Sequence, residues 1–272
     1  MPGSRGDLGV EVFRELSTEV WRGLRVLFSK PLSIMINIIT APLWLAFFIL
    51  TLRGFGVLTL GRFILQLFLW AAYAFALYSS WLWGFGGGII EEGYEGILES
   101  VMSTVNNVFI HIIGWGIAYS IYTLLDLAAL VLSFYVVFGI TIEVRDPLLF
   151  AVSVILASLQ LLLISTIYAM LVIRLRSNWV ITDIMQFLMP ALGGLIPSEA
   201  SRYVMMINEY SPIAYPFVIM REAALGYPEL PIPITYQVLY SVITVVSLLI
   251  ATTILVRMFD KRLRKEGKLG LT

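Results

Sequence analysis

The chain has 272 residues, 59% of them hydrophobic and 13% charged, with a mean hydropathy of +0.90 and a formal net charge of +0. A soluble domain of this length has no interior large enough for so much apolar surface, so the solvent is lipid, and the balanced charge gives no reason to expect nucleic acid as a partner. Cysteine is absent, which excludes disulfides, thiolate metal sites and cysteine nucleophiles.

Residues 10–28, VEVFRELSTEVWRGLRVLF, come first. Phe13, Leu16, Val20, Leu24 and Leu27 recur at steps of three and four, which places them on one face of a helix. Glu11, Arg14, Glu15, Arg22 and Arg25 fall mostly off that face. Such a helix is expected to lie flat in the membrane interface, with Trp21 at headgroup depth. Lys30-Pro31 ends it. No signal peptide is expected, because the first apolar run starts near Leu32 after a charged segment and no small-residue cleavage site follows a short apolar core. The organisation read is residues 1–31 as a cytoplasmic segment with the interfacial helix, 32–256 as one transmembrane domain and 257–272 as a basic tail.

A spanning helix needs about 20 mostly apolar residues. Six stretches qualify: Leu32 to Leu52, Phe63 to Ile90, Val108 to Ile142, Leu148 to Ile173, Trp179 to Ile196 and Ile234 to Val256. The third is long enough to leave open whether it is one span or two. The amino-terminal segment carries five basic residues and the tail six, Arg257, Lys261, Arg262, Arg264, Lys265 and Lys268. Both ends are therefore read as cytoplasmic, which needs an even number of spans. The fold class expected is all-α integral membrane, with six transmembrane helices in the cell membrane.

The Gly86-Gly87-Gly88 run near the end of the second span reads as close helix packing or as a flexible joint. The next segment, Glu91 to Asn107, holds Glu91, Glu92, Glu95 and Glu99 and no Lys or Arg, although its cytoplasmic placement would favour a basic loop. As a helix it would put Glu91, Glu95 and Glu99 on one face. Like charges at that spacing destabilise an isolated helix by a few tenths of a kcal/mol each, so a basic partner surface would make sense of them. Among the ionisable residues near or within spans, His111 lies at the start of the third, Asp126 toward its outer end, and Asp183 about one turn into the fifth, where Arg174 and Arg176 are candidate partners. Residues 197–233 hold six of the eleven prolines yet are too apolar for an open loop. Two short helices fit there: one beginning after Pro197 with Ser198 as N-cap, the other starting at Ser211-Pro212 and ending at Gly226. They form the expected outer re-entrant pair, and their Met and Tyr content suits an amphipathic substrate or plain membrane burial.

Catalytic motifs are missing from the sequence: no HExxH, no GxxxxGK[ST] and no GxSxG occurs, and His111 is the single histidine. An ion-coupled transporter would want paired intramembrane charges and inverted repeats, and an intramembrane lipid-modifying enzyme a cluster of His, Asp or Glu.

The stretch EEGYEGILESVMSTVNN resembles the signature of ABC-2-type transporter permeases, in which an acidic E-x-G-T-L-E segment follows the second span. Gly96-Ile97-Leu98-Glu99 matches G-T-L-E with Ile97 for Thr, and Thr104-Val105-Asn106 stands where T-P-x is expected, with Val105 for the proline. Trp115 follows Gly114 where a Gly-Lys often occurs. Leu195-Ile196-Pro197 resembles the family's exit from the fifth span, Tyr210-Ser211-Pro212-Ile213-Ala214-Tyr215 its N-P-x-x-Y motif, and Lys265-Glu266-Gly267 its closing tail. The resemblance covers essentially the whole chain. It implies a homodimeric or paired permease without an ATPase site of its own. ATP and Mg would be bound by a separate ABC ATP-binding subunit, and a hydrophobic, lipid-like or drug-like substrate would be exported. Glu91, Glu92, Tyr94, Glu95, Gly96, Ile97, Leu98 and Glu99 would form the cytoplasmic coupling helix that docks on that subunit. Pro197, Tyr210, Pro212 and Tyr215 would belong to the outer re-entrant segment.

Overall fold

The computed structural model describes residues 5–29, 31–32, 35–36, 39–40, 43, 50, 61–95, 108–139, 142, 144–175 and 178–266. The expected first span, 32–52, lies for the most part outside them. So do Gly96, Ile97, Leu98 and Glu99, and with them most of the acidic loop.

The described chain is all-α. Helix α1 covers Arg5–Phe28. Helix α2 runs over Arg62–Tyr94 without a break, α-helical to Ser79, π-helical over Ser80–Gly86 and α-helical again over Gly87–Tyr94. Then come α3 (Val108–Phe138), α4 (Pro147–Leu175), α5 (Asn178–Leu192), a 3-10 turn (Ser198–Ala200), α6 (Arg202–Tyr210), α7 (Tyr215–Leu225) and α8 (Ile234–Glu266).

Four of these helices are long and apolar enough to cross a membrane: Arg62–Tyr94, Ile110–Val136, Pro147–Leu175 and Ile234–Met258. The chain is therefore read as a multi-pass helical membrane protein. The third apolar stretch is a single helix of 31 residues, and it ends where Gly139 takes a left-handed φ of 66°. The fifth stretch is shorter than expected. Helix α5 has 15 residues, roughly 22 Å at 1.5 Å per residue against a hydrocarbon layer of about 30 Å. It stops at Gly193-Gly194 rather than running to Ile196, and Gly194 carries a φ of 71°. A Cβ on Gly194 would lie 2.7 Å from the Ala214 carbonyl oxygen, so the turn is also a close backbone crossing.

The core is aromatic and centred on α2. Trp70, Tyr73, Leu77, Trp81 and Phe85 are buried on it and meet Tyr119 of α3 and Leu161, Tyr168 and Ala169 of α4. Trp81 stands edge-on to Phe85 at 5.3 Å, and Trp70 edge-on to Phe150 at 5.0 Å. Small residues on α2 admit the large ones: Tyr119 sits over Gly84, Tyr168 reaches 3.1 Å from a Cβ position on Gly86, and Trp115 reaches 3.2 Å from one on Gly88. The Gly86 and Gly88 positions thus serve close packing. Asp146 caps α4, its Oδ1 accepting from the Leu149 N–H at 2.9 Å, with Pro147 at the first helical position.

All eleven residues of α7 are buried, enclosed by α2, α4 and α8. The segment before α4 is bonded to it, Asp146 N–H donating to the Ala223 carbonyl at 2.9 Å. Helix α6, by contrast, buries only Asn208.

Candidate functional site

At the end of the bundle where α2 stops and α3 begins, three helices bring four ionisable side chains together. Glu19 and Arg22 lie three apart on α1, so they share an edge. Glu92 is in the last turn of α2 and His111 in the first turn of α3. His111 is 1% exposed. Its Nδ1 faces Glu19 Oε2 at 2.7 Å and its Nε2 faces Glu92 Oε2 at 3.0 Å. Arg22 donates to Glu92 Oε1 at 2.9 Å, lies 3.4 Å from Glu19 Oε2 and places another N–H 3.3 Å from His111 Nδ1. Both ring nitrogens meet carboxylate oxygens, and a neutral imidazole has only one N–H to give. The form that satisfies both is the imidazolium. Two carboxylates then balance two cations, which is what a buried cluster requires.

The backbone fit explains how α1 gets close enough. A Cβ on Gly114 would lie 2.5 Å from Glu19 Cβ, and one on Gly23 would lie 2.8 Å from Ala118 Cβ. The seam is therefore made of Gly114 and Ala118 on α3 against the Glu19–Gly23 edge of α1. The expected amphipathic helix forms, and it is docked on protein. Leu16, Val20, Leu24 and Leu27 are half-buried, with Leu27 against the main core, while Phe13 (72% exposed) and Trp21 (68%) stay outside.

At this same end Glu92 turns inward, and Glu91, Tyr94 and Glu95 are exposed. Helix α2 ends at Tyr94, with Glu95 as its C-cap in a turn. Gly93 sits under Ile173 of α4, where a Cβ would meet Ile173 Cδ1 at 2.9 Å. Asp183 is exposed on α5, and its suggested partner Arg176 lies outside the described residues.

The opposite end holds a second buried ionic cluster, which the sequence reading did not single out. Arg221 of α7, 0% exposed, donates through Nε to Glu229 Oε2 and through a terminal nitrogen to Glu229 Oε1, each at 2.7 Å, and to the Gly194 carbonyl at 2.7 Å. Glu229 also accepts from the Ser198 N–H and hydroxyl. Glu222 accepts from the N–H groups of Glu229 and Leu230 and from the Gln237 side-chain amide. Burial pushes the Glu222 carboxyl above the ordinary glutamate range, and those hydrogen bonds offset part of the rise. Ser198 is thus tied into this cluster and opens a 3-10 turn rather than capping the expected short helix, which starts later with Ser201 as its cap, accepting from Val204 N–H at 3.2 Å. Tyr215 is buried, stacks on Tyr240 at 5.6 Å and donates to the Glu209 carbonyl at 2.6 Å. Pro197 is half-buried, and Tyr210 and Pro212 are exposed.

Between the two ends, Asp126 accepts from Ser80 at 2.8 Å, at the first residue of the π-helical segment. Among the described residues no group of three or more His, Asp or Glu is placed to hold a metal ion.

The His111 cluster was half legible. Gly114 and Ala118 form a small-xxx-small pair, a signal for close helix approach, and Glu19 with Gly23 has the matching spacing on α1. Compared with protein-family models, with curated proteins and with solved structures, the chain matches none.

Proposed function

We propose that the chain is the membrane permease subunit of an ATP-driven exporter of the ABC-2 type, moving a hydrophobic, lipid-like or drug-like substrate. It would cross the cell membrane six times, with residues 32–52 as the first span and α5 extended by residues 193–196 as the fifth. Both termini would face the cytoplasm, and the α6–α7 segment would face outward. ATP and Mg belong to a separate ATP-binding subunit, and a second permease copy completes the pore.

The observation that carries this reading is the linkage at the His111 end. The exposed turn of Glu91, Tyr94 and Glu95 is continuous with Glu92, which is bonded to Arg22 of α1 and His111 of α3. A protein docking on that turn would move α1, α2 and α3 together, which is what coupling to a cytoplasmic ATPase needs. Such a partner would meet Glu91, Tyr94 and Glu95, because Glu92 is engaged inside.

A single cysteine at Ser100 of this cysteine-free chain tests side and role together. An impermeant maleimide is expected to react in inverted vesicles and not in intact cells. A P-loop ATPase co-purified from the native membrane is expected to shield the thiol. Labelling from outside would sink the topology. Inside labelling with no shielding would favour the second reading, ion-coupled transport, for which Asp126 on Ser80 within a span is the specific observation. That reading expects Asp126→Asn to abolish gradient-driven uptake.

A further inference from the structure

We infer that the His111 cluster is a proton-operated latch on α1: with the proton present the helix is held on α2 and α3, and with it gone the Glu19 edge of α1 comes free. This goes beyond the permease reading and does not depend on it, since it concerns how the chain holds its own helix.

Among the described residues, few groups face His111. Helix α1 brings Glu19 and Arg22, and α2 brings Glu92. On α3 itself Trp115 stands edge-on at 6.0 Å. With the imidazolium in place, each carboxylate receives a charge-assisted N–H. Remove one proton, and one ring nitrogen turns a lone pair on a carboxylate. Arg22 decides which carboxylate loses. Its N–H is 3.3 Å from Nδ1 and can donate there, so the neutral ring keeps its proton on Nε2 for Glu92. Glu19 Oε2, 2.7 Å from Nδ1, is then opposed by a lone pair, inside a cluster that now carries one uncompensated negative charge.

Glu19 is the residue that holds the seam. Its backbone-fixed Cβ packs on Gly114, so Glu19 withdraws from the cluster by rolling that edge of α1 away from α3. The Arg22–Glu92 pair remains, but Arg22 is the most exposed member of the cluster and its bond is the most screened by solvent. Helix α1 therefore loosens rather than detaches.

Amide hydrogen exchange of the isolated full-length chain in lipid nanodiscs, corrected for intrinsic rates, reads the latch directly. Between about pH 6 and about pH 9, either side of the imidazole range, the α1 amides are expected to exchange on the order of tenfold faster, with those of α4 unchanged. His111→Gln is expected to leave α1 weakly protected at both pH values. Glu19→Gln gives the opposite result, because its amide N–H can donate to the neutral Nδ1: protection is expected to stay high throughout. Loss of α4 protection in His111→Gln would mark a folding defect, and Glu19→Gln then decides. Equal α1 protection in the wild type at both pH values overturns the latch, and so does a Glu19→Gln variant that keeps the wild-type pH response. No ATPase is present in the experiment, so failure of the permease reading leaves this result intact, and the converse also holds.

Discussion

Replacing Arg221 by alanine tests the physics of the second cluster most severely. The guanidinium is fully buried and makes three hydrogen bonds of 2.7 Å, two to Glu229 and one to the Gly194 carbonyl. Truncation leaves Glu229 with only the Ser198 donors, its side chain 1% exposed and its charge unopposed. Breaking one side of a buried pair costs roughly 3–5 kcal/mol, most of it the stranded charge. Arg221→Lys keeps the charge but not the two-pronged geometry, so a smaller loss of about 1–2 kcal/mol is expected. The double variant Arg221→Met, Glu229→Met removes both charges, so it should cost clearly less than the two single losses added together. Equilibrium unfolding in mixed micelles gives the free energies, and limited proteolysis of residues 194–233 reports whether α7 is released first. An Arg221→Ala variant within about 0.5 kcal/mol of wild type, or a strictly additive double variant, would refute the argument that charge pairing holds α7 in place.

Gly194→Ala adds a Cβ 2.7 Å from the Ala214 carbonyl oxygen at a φ of 71°, and a loss of about 1–3 kcal/mol is expected in the same unfolding assay. Gly114→Ala places a Cβ 2.5 Å from Glu19 Cβ, which should push α1 off α3 and raise exchange of the α1 amides at every pH, with the α4 amides unmoved. Glu222 carries the pH prediction. Its folded carboxyl holds the proton above the ordinary value of 4.5, so its contribution to stability is full below that value and is lost as pH rises through the raised one. Glu222→Gln keeps an oxygen for the Glu229 and Leu230 N–H groups and should flatten that decline, seen as a smaller drop in unfolding free energy above about pH 4.5.

Length and hydropathy located α2, α3, α4 and the start of α8 to within four residues, because a long apolar run in lipid satisfies its own backbone as a helix, whereas α8 continues ten residues past Val256 to Glu266, into the basic tail. Gly226 was legible as the end of α7, and it takes the left-handed φ of 72° that glycine tolerates. The start of α7 was not. Ser211-Pro212 looks like a cap and first residue, but Ala214 N–H bonds to the Ser211 carbonyl and closes a turn, and the helix begins at Tyr215 with Pro216 behind it. The π-helical segment had no sequence signature beyond small Ser80, Gly84 and Gly86, since it answers to Tyr119, Ser165 and Tyr168 on neighbouring helices. On α1 the apolar period was so regular that Arg22 read as lying off the packed face, and Glu19 was not singled out.

The two ionic clusters have a common physical origin. Lipid tails are as apolar as leucine, so burial of apolar surface gives a helix that does not span little reason to leave the lipid for the bundle. The elements held by ion pairs here are the ones that do not span: α1 through Glu19 and Arg22, and the α6–α7 region through Arg221 and Glu229. Among the described residues the spanning helices meet mostly through rings and glycines, as at Gly84 and Tyr119 or Gly86 and Tyr168, with the Glu92–His111 pair between α2 and α3 as the exception. In both clusters the buried charges cancel, with two carboxylates against Arg22 and protonated His111, and Glu229 against Arg221 while burial favours the neutral form of Glu222. A charge-balanced lock is far less costly intact than with one partner lost. Loss of the single proton on His111 therefore loosens α1, whereas Arg221 and Glu229 hold α7 through a two-pronged pair.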